Sequence, residues 1–96
     1  MGVVWSLKAL KSFQQVINYL SLEWSVSVEM NFIHEVERII LLISKNPNMF
    51  KKSNRYKNTR IGFVTKHNSF VYRVTNKKIE LLIFWDNRQD SRKLIY

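Results

Sequence analysis

The chain has 96 residues, 46% of them hydrophobic and 14% aromatic, with two glycines, one proline and no cysteine; this composition describes one ordered domain spanning 1–96, too short for a two-domain enzyme with its site between domains. The missing cysteines exclude disulfides, thiolate zinc sites, iron–sulfur clusters and cysteine nucleophiles, and they fit a reducing compartment, which makes the cytoplasm the expected location. The net charge of +9 calls for a polyanionic partner, either nucleic acid or an acidic protein segment, with a plainly solvated basic surface as the alternative.

Val3-Val4-Trp5 is a short β-rich run and Ser6 is a good helix cap, so strand, cap and helix are expected in that order. Between Leu7 and Trp24 the apolar residues Leu10, Phe13, Ile17, Leu20 and Trp24 recur at steps of three and four, which is one face of a helix. Ser25 or Ser27 can cap a second helix, whose stripe Phe32, Val36, Ile39, Ile40 and Ile43 continues to Lys45. Asn46-Pro47 ends it, because the residue before proline is pushed out of the helical region. With so short a link after Trp24, the two helices must double back as a hairpin.

After a basic, polar stretch from Lys51 to Asn58 the pattern changes to period two. Ile61, Phe63 and Thr65, then Phe70, Tyr72 and Val74, alternate with their neighbours, and Asn76-Lys77 separates the second run from Ile79–Trp85. The order β-α-α-β-β-β predicts an α+β fold with one helical hairpin packed on one antiparallel sheet. No apolar run approaches the ~20 residues that span a bilayer, and the start lacks the order of a secretory signal, so a soluble protein is expected. Val16, Tyr19, Val28, Leu41 and Leu42 lie off or beside the helical stripes, and Ile95 and Tyr96 end the polar tail. They either widen the core or receive a partner's amphipathic segment.

Residues 1–50 hold four basic and four acidic side chains, whereas residues 51–96 hold twelve basic and three acidic, so the second half carries the whole net charge. His34-Glu35-Val36-Glu37-Arg38 opens like a zinc-protease helix, but Arg38 stands where the second histidine belongs. With only His34 and His67 in the chain, no three-histidine site can form, and no metal is expected. Gly2 and Gly62 are the only glycines and neither opens a helix, which removes phosphate-cradling loops. Met1-Gly2 followed by Ser6 formally matches a myristoylation start, against which the strand reading of Val3–Trp5 weighs. Asp86 and Asp90 flank Arg88, either as an acid–base pair or as charge-paired turn residues.

What remains is Arg60, Lys66, Arg73 and Arg88 with Phe70, Tyr72 and His67, the residue types that hold phosphates, stack on bases and move protons. Cutting RNA requires a base for the ribose 2′-hydroxyl, a cation for the phosphorane and an acid for the leaving oxygen. Lys66 or His67, Arg60 or Arg73, and Tyr72 have the chemistry for those roles. A core position for Tyr72 and a solvent position for Arg73 are the plain alternatives.

Val4-Trp5-Ser6 with Ala9, Tyr19-Leu20, Trp24-Ser25, Phe32, Asn46-Pro47, Thr59-Arg60, Val71-Tyr72-Arg73-Val74 and Asp86-Asn87-Arg88-Gln89 together resemble a RelE/ParE-superfamily toxin over nearly the whole chain. The resemblance implies the α+β fold above and a bacterial cytoplasmic protein from a type II toxin–antitoxin module, with growth inhibition and plasmid stabilisation as its roles. It implies a cognate antitoxin that wraps the toxin, homo- or hetero-oligomers with it, no cofactor and no membrane. RelE-branch toxins cut messenger RNA in the ribosomal A site with an arginine before the strand tyrosine and a terminal tyrosine or histidine–tyrosine. Here Ser69 holds the arginine's place and Asn87-Arg88 that of the terminal pair, so Arg60 is what carries over.

ParE-branch toxins, which lack that set and poison DNA gyrase by binding, are closer. The resemblance therefore implies a binding toxin, with Arg60, Arg73 and Arg88, and Val16 and Tyr19 from the apolar surplus, facing the target or the antitoxin. The alternative is a ribosome-dependent mRNA endoribonuclease using Arg60, Lys66, Tyr72, Arg73 and Arg88.

Overall fold

A computed structural model describes residues 1–89, so Asp90, Ile95 and Tyr96 lie outside the described residues. Its elements are β1 (Gly2–Trp5), α1 (Leu7–Glu23), α2 (Val26–Lys45), β2 (Lys51–Lys52), β3 (Thr59–Thr65), β4 (Asn68–Val74) and β5 (Lys78–Asp86). α1 starts at the expected cap and α2 at Ser25, the first of the two offered: Ser6 Oγ accepts the Ala9 N–H at 3.0 Å and Ser25 Oγ accepts the Val28 N–H at 3.1 Å, each satisfying an otherwise orphaned donor. α1 stops at Trp24, whose N–H reaches Leu20 O at 3.0 Å, and α2 stops at Asn46, directly before Pro47.

The strands lie in the order β1-β5-β4-β3-β2. Three pairs are antiparallel, but β1 joins β5 in parallel, so the sheet is mixed where a purely antiparallel one was expected. Parallel strands need a long crossover, and the helical hairpin with the β2–β4 meander supplies it. Lys51–Lys52, read above as part of a polar connection, forms a two-residue edge strand against β3. The loop between them re-enters at Asn58 with φ 62°, a left-handed conformation that asparagine tolerates.

Both helices cover one sheet face, α1 chiefly on β5 and α2 on α1 and β3. α2 buries Phe32, Val36, Ile39 and Ile43 as predicted, with Ile40 on the flank. Of the predicted α1 stripe, Leu20 is buried and Phe13 and Ile17 pack against the core, but the most buried line is turned slightly from it. Leu10 and Trp24 are exposed, and the buried line is Ala9, Ser12, Val16 and Leu20. Small side chains cause the rotation, because they let α1 approach β5 closely. β1 pairs with β5 only as far as Leu81, so the Phe84 N–H lies past the end of its neighbour strand. Ser12 Oγ accepts that N–H at 2.9 Å and donates to Ala9 O at 3.1 Å, which satisfies a buried donor that would otherwise be costly.

Between the layers an aromatic row crosses three strands. Trp5, Phe84, Phe70 and Tyr72 stack in sequence with centroids 5.2, 5.5 and 5.5 Å apart. Phe13 meets Trp5 and Phe84 edge-on at 5.2 and 5.5 Å, and such geometry adds to area burial. Gly62 lies opposite Phe70 in the β3–β4 register, and a Cβ there would stand 2.5 and 2.7 Å from the Phe70 ring and 3.0 Å from Phe50. Gly62→Ala should therefore destabilise the fold by about 1–3 kcal/mol through overpacking. The check is a lower urea midpoint at unchanged slope, with Gly2→Ala, where a Cβ meets nothing within 4 Å, as the variant that leaves the midpoint in place.

Candidate functional site

The β3–β4 hairpin carries Arg60 and Arg73 at its open end and Lys66 at its turn, roughly 15 Å apart along the strands at the usual rise per residue, and Arg88 follows the end of β5 beside that turn. At the open end Arg60 and Tyr72 face each other in register. Arg60 Nη1 donates to Phe50 O at 2.6 Å and to Asn48 O at 3.3 Å, and the Tyr72 hydroxyl donates to Pro47 O at 2.7 Å. The two side chains clamp the segment that links α2 to β2. Burial pushes the Tyr72 phenol up, against the opposing pull of the Phe50 backbone and the Arg60 charge. A cleft of about 200 Å³ lined by Asn48, Lys52 and Arg60 opens beside them. Arg73 is on the other sheet face, opposite Thr59 and Glu80, and pairs with Glu80 at 3.6 Å.

At the turn end the chemistry is organised by Asp86. Asp86 occupies the core-facing side of β5 and is buried. Arg88 donates to it from Nε at 2.8 Å, from Nη2 at 2.7 Å and from its backbone N–H at 2.8 Å. Asn68 Nδ2 donates at 2.7 Å, and Thr65 Oγ1 donates to Asn68 Oδ1 at 2.6 Å. Burial alone would push the Asp86 carboxyl up, but the bonds from Arg88 and Asn68 and the Arg88 charge hold it below the ordinary carboxylate value. Arg88 also lies 4.3 Å over the Trp24 ring, and Trp24 Nε1 donates to the Tyr19 hydroxyl at 3.3 Å. Lys66 and His67 form the turn, where His67 O accepts the Asn87 N–H at 2.7 Å. A cleft of about 570 Å³ opens between this turn and the start of α2.

The sequence-predicted site residues thus fall into three places. Arg60 and Tyr72 stand together, Arg73 lies behind them, and Lys66, His67 and Arg88 gather at the far end. Val16, read above as a partner contact, is fully buried in the core and offers no surface, because the rotation of α1 turns it onto the sheet. Tyr19 is half-buried and supports Trp24. Ser69, at the place of the nuclease arginine, is buried. Of the acid–base alternative for Asp86 and Asp90, Asp86 is committed to Arg88, and Asp90 lies outside the described residues. The Asn68–Asp86 bond and the contact of Trp24 with Arg88 are not among the sequence-predicted features. Asp86 did carry a signal, since it falls two residues after Phe84 on the same side of its strand. Among the described residues no group of three His, Cys, Asp or Glu side chains could hold a metal ion, and no helix is long and apolar enough to cross a membrane.

A two-helix layer on a mixed five-stranded sheet is the architecture of solved bacterial toxins. A chain of the chromosomal ParDE TA system from P. aeruginosa superimposes with a TM-score of 0.72 at 16% identity, covering 90% of this chain and 95% of that one. A YoeB/ParE toxin from Agrobacterium tumefaciens gives 0.63 at 15% identity over 90% and 98% of the two chains, and a YoeB dimer from Staphylococcus aureus gives 0.61 at 9% over 86% and 92%. No curated protein matches the sequence. The family described as ParE toxin of type II toxin-antitoxin system, parDE, matches residues 3–91. The chain belongs to that family.

The Asp86 network has a pH signature. A carboxylate whose folded pKa is depressed contributes stability that is present above its unfolded value of about 3.9 and is lost as pH falls through the folded value. Asp86→Asn should cost about 3 kcal/mol near neutral pH, as expected for breaking a buried ion pair. Urea unfolding of wild type and variant should show that gap narrowing as pH falls below about 4. A gap that stays constant down to pH 2 would mean that the carboxylate charge is not what the site depends on.

Proposed function

We propose that this toxin arrests bacterial growth in the cytoplasm by binding, with DNA gyrase as its target, and that a cognate antitoxin neutralises it. The observation that carries this reading is that the groups a nuclease would need are separated and already committed. The Tyr72 hydroxyl is held by Pro47, Arg60 by two backbone carbonyls and Arg88 by Asp86, while Lys66 sits at the other end of the hairpin from Tyr72. A general acid must reach the leaving oxygen and a cation must reach the phosphorane, and these four side chains are divided between two places, Arg60 with Tyr72 at one end of the hairpin and Lys66 with Arg88 at the other. The competing reading, a ribosome-dependent mRNA endoribonuclease, is favoured by the net charge concentrated in residues 51–96.

Purified toxin at micromolar levels should inhibit gyrase supercoiling, and induction in a bacterium should stop growth without new 5′ ends inside codons of translated messages. Untouched supercoiling together with such ends would replace the binding reading with the nuclease one. Charge complementarity supports an acidic antitoxin segment on the cationic sheet half. Arg73→Glu, on an ion pair that is partly exposed, should weaken the antitoxin complex severalfold at low ionic strength and much less at high ionic strength. An affinity that does not change at either salt would remove the electrostatic part of this proposal.

A further inference from the structure

The cleft of about 570 Å³ between the first turn of α2 and the β3–β4 turn lies within the size range of small-molecule sites. Trp24 and Val28 give it an apolar wall, and Asn31, Lys66, His67 and Arg88 give it polar groups, with no acidic side chain among the described residues that line it. Trp24 is 52% exposed, yet it is held in place by the Tyr19 hydroxyl at Nε1 and by the Arg88 guanidinium 4.3 Å from its ring. A fixed, half-open indole is a stacking platform whose ordering is complete before a ligand arrives. Arg88 spends Nε and Nη2 on Asp86, so Nη1 remains for a ligand. Lys66 is exposed, and among the described residues no carboxylate pairs with it. The Asn31 carboxamide is exposed on the opposite wall.

We propose that this cleft binds a nucleotide, with its base stacked beside Trp24 and its phosphate on Lys66 and the free edge of Arg88. An aromatic face, a cation and a carboxamide are the three contacts that recognise a base, its phosphate and its hydrogen-bonding edge. An acidic side chain would use the cations and leave the indole idle. The chain has no glycine-rich loop to cradle a triphosphate, so the ligand is a monophosphate nucleotide or one nucleotide unit of a single strand. The proposal is independent of how the toxin arrests growth.

Isothermal titration calorimetry of the purified chain with AMP, GMP, UMP, a short single strand and inorganic phosphate tests it. At least one nucleotide should bind, and phosphate alone should bind about tenfold more weakly or worse. Trp24→Ala and Lys66→Glu should each weaken nucleotide binding about tenfold or more, the range expected for losing a stacked base. Trp24→Phe should hold binding within a few-fold, and equal unfolding midpoints for the Lys66→Glu and wild-type proteins keep that loss apart from misfolding. Mononucleotides that bind as tightly as the strand assign the site to free nucleotide, and a strand that binds through Trp24 and Lys66 where mononucleotides fail assigns it to nucleic acid. Absence of all binding near about 1 mM, binding untouched by both variants, or phosphate binding as tightly as the nucleotides would each overturn the proposal.

Discussion

Four rings stacked across three strands set the spacing between the sheet and its helices. Trp5 comes from the parallel edge strand, Phe84 from β5, and Phe70 and Tyr72 from β4, so a single row joins the two kinds of strand pairing. Stiff, flat side chains at fixed centroid distances leave little freedom for the elements that touch them. Gly62 exists where the row meets β3, because no side chain fits opposite Phe70. At its far end the row terminates in the Tyr72 hydroxyl, whose bond to Pro47 O fixes where the chain leaves α2. Arg60 continues that fixation by holding the carbonyls of Asn48 and Phe50.

The other end of the sheet is governed by a charge instead of by rings. A buried carboxylate is expensive unless paired and hydrogen-bonded, and Asp86 has four donated bonds, three of them from Arg88. That arrangement pins the residues after β5 against the sheet and carries the guanidinium onto Trp24, which ties the corner between the helices to the same point. Among the described residues every buried side-chain nitrogen and oxygen has a partner. The charges that remain unspent, Lys51, Lys52, Lys57 and Lys66 among them, are exposed.

The helices were legible in the sequence because their caps and stops are local chemistry: Ser6, Ser25 and Asn46-Pro47 each act within a few residues of themselves. The stripe of α2 was legible because its buried positions are all large and apolar. The stripe of α1 was legible only in part, in Phe13, Ile17 and Leu20, since its closest approach to the sheet runs through Ala9 and Ser12, which large hydrophobes do not mark, while Leu10 and Trp24 are large and exposed. Period two revealed the strands but could not reveal that β1 lies parallel to β5, because alternation is the same for either direction. The candidate site was legible as residue types and not as a place. Arg60, Lys66, Arg73 and Arg88 are close in sequence terms, yet strand alternation puts Arg73 behind Arg60, and hairpin length puts Lys66 and Arg88 at the opposite end.

That separation bears on what this scaffold can do. The preorganised polar side chains serve the fold: Tyr72 holds Pro47, Arg60 holds the α2–β2 link, and Arg88 holds Asp86 through Nε and Nη2. A fold shared with other toxins at 9–16% identity fixes the architecture and leaves its sites to the individual side chains. What this chain keeps available is exposed positive charge and the half-open face of Trp24. Exposed charge steers and holds a polyanionic partner, with a strength that falls as salt rises, and it needs no side chain held at reacting distance from another.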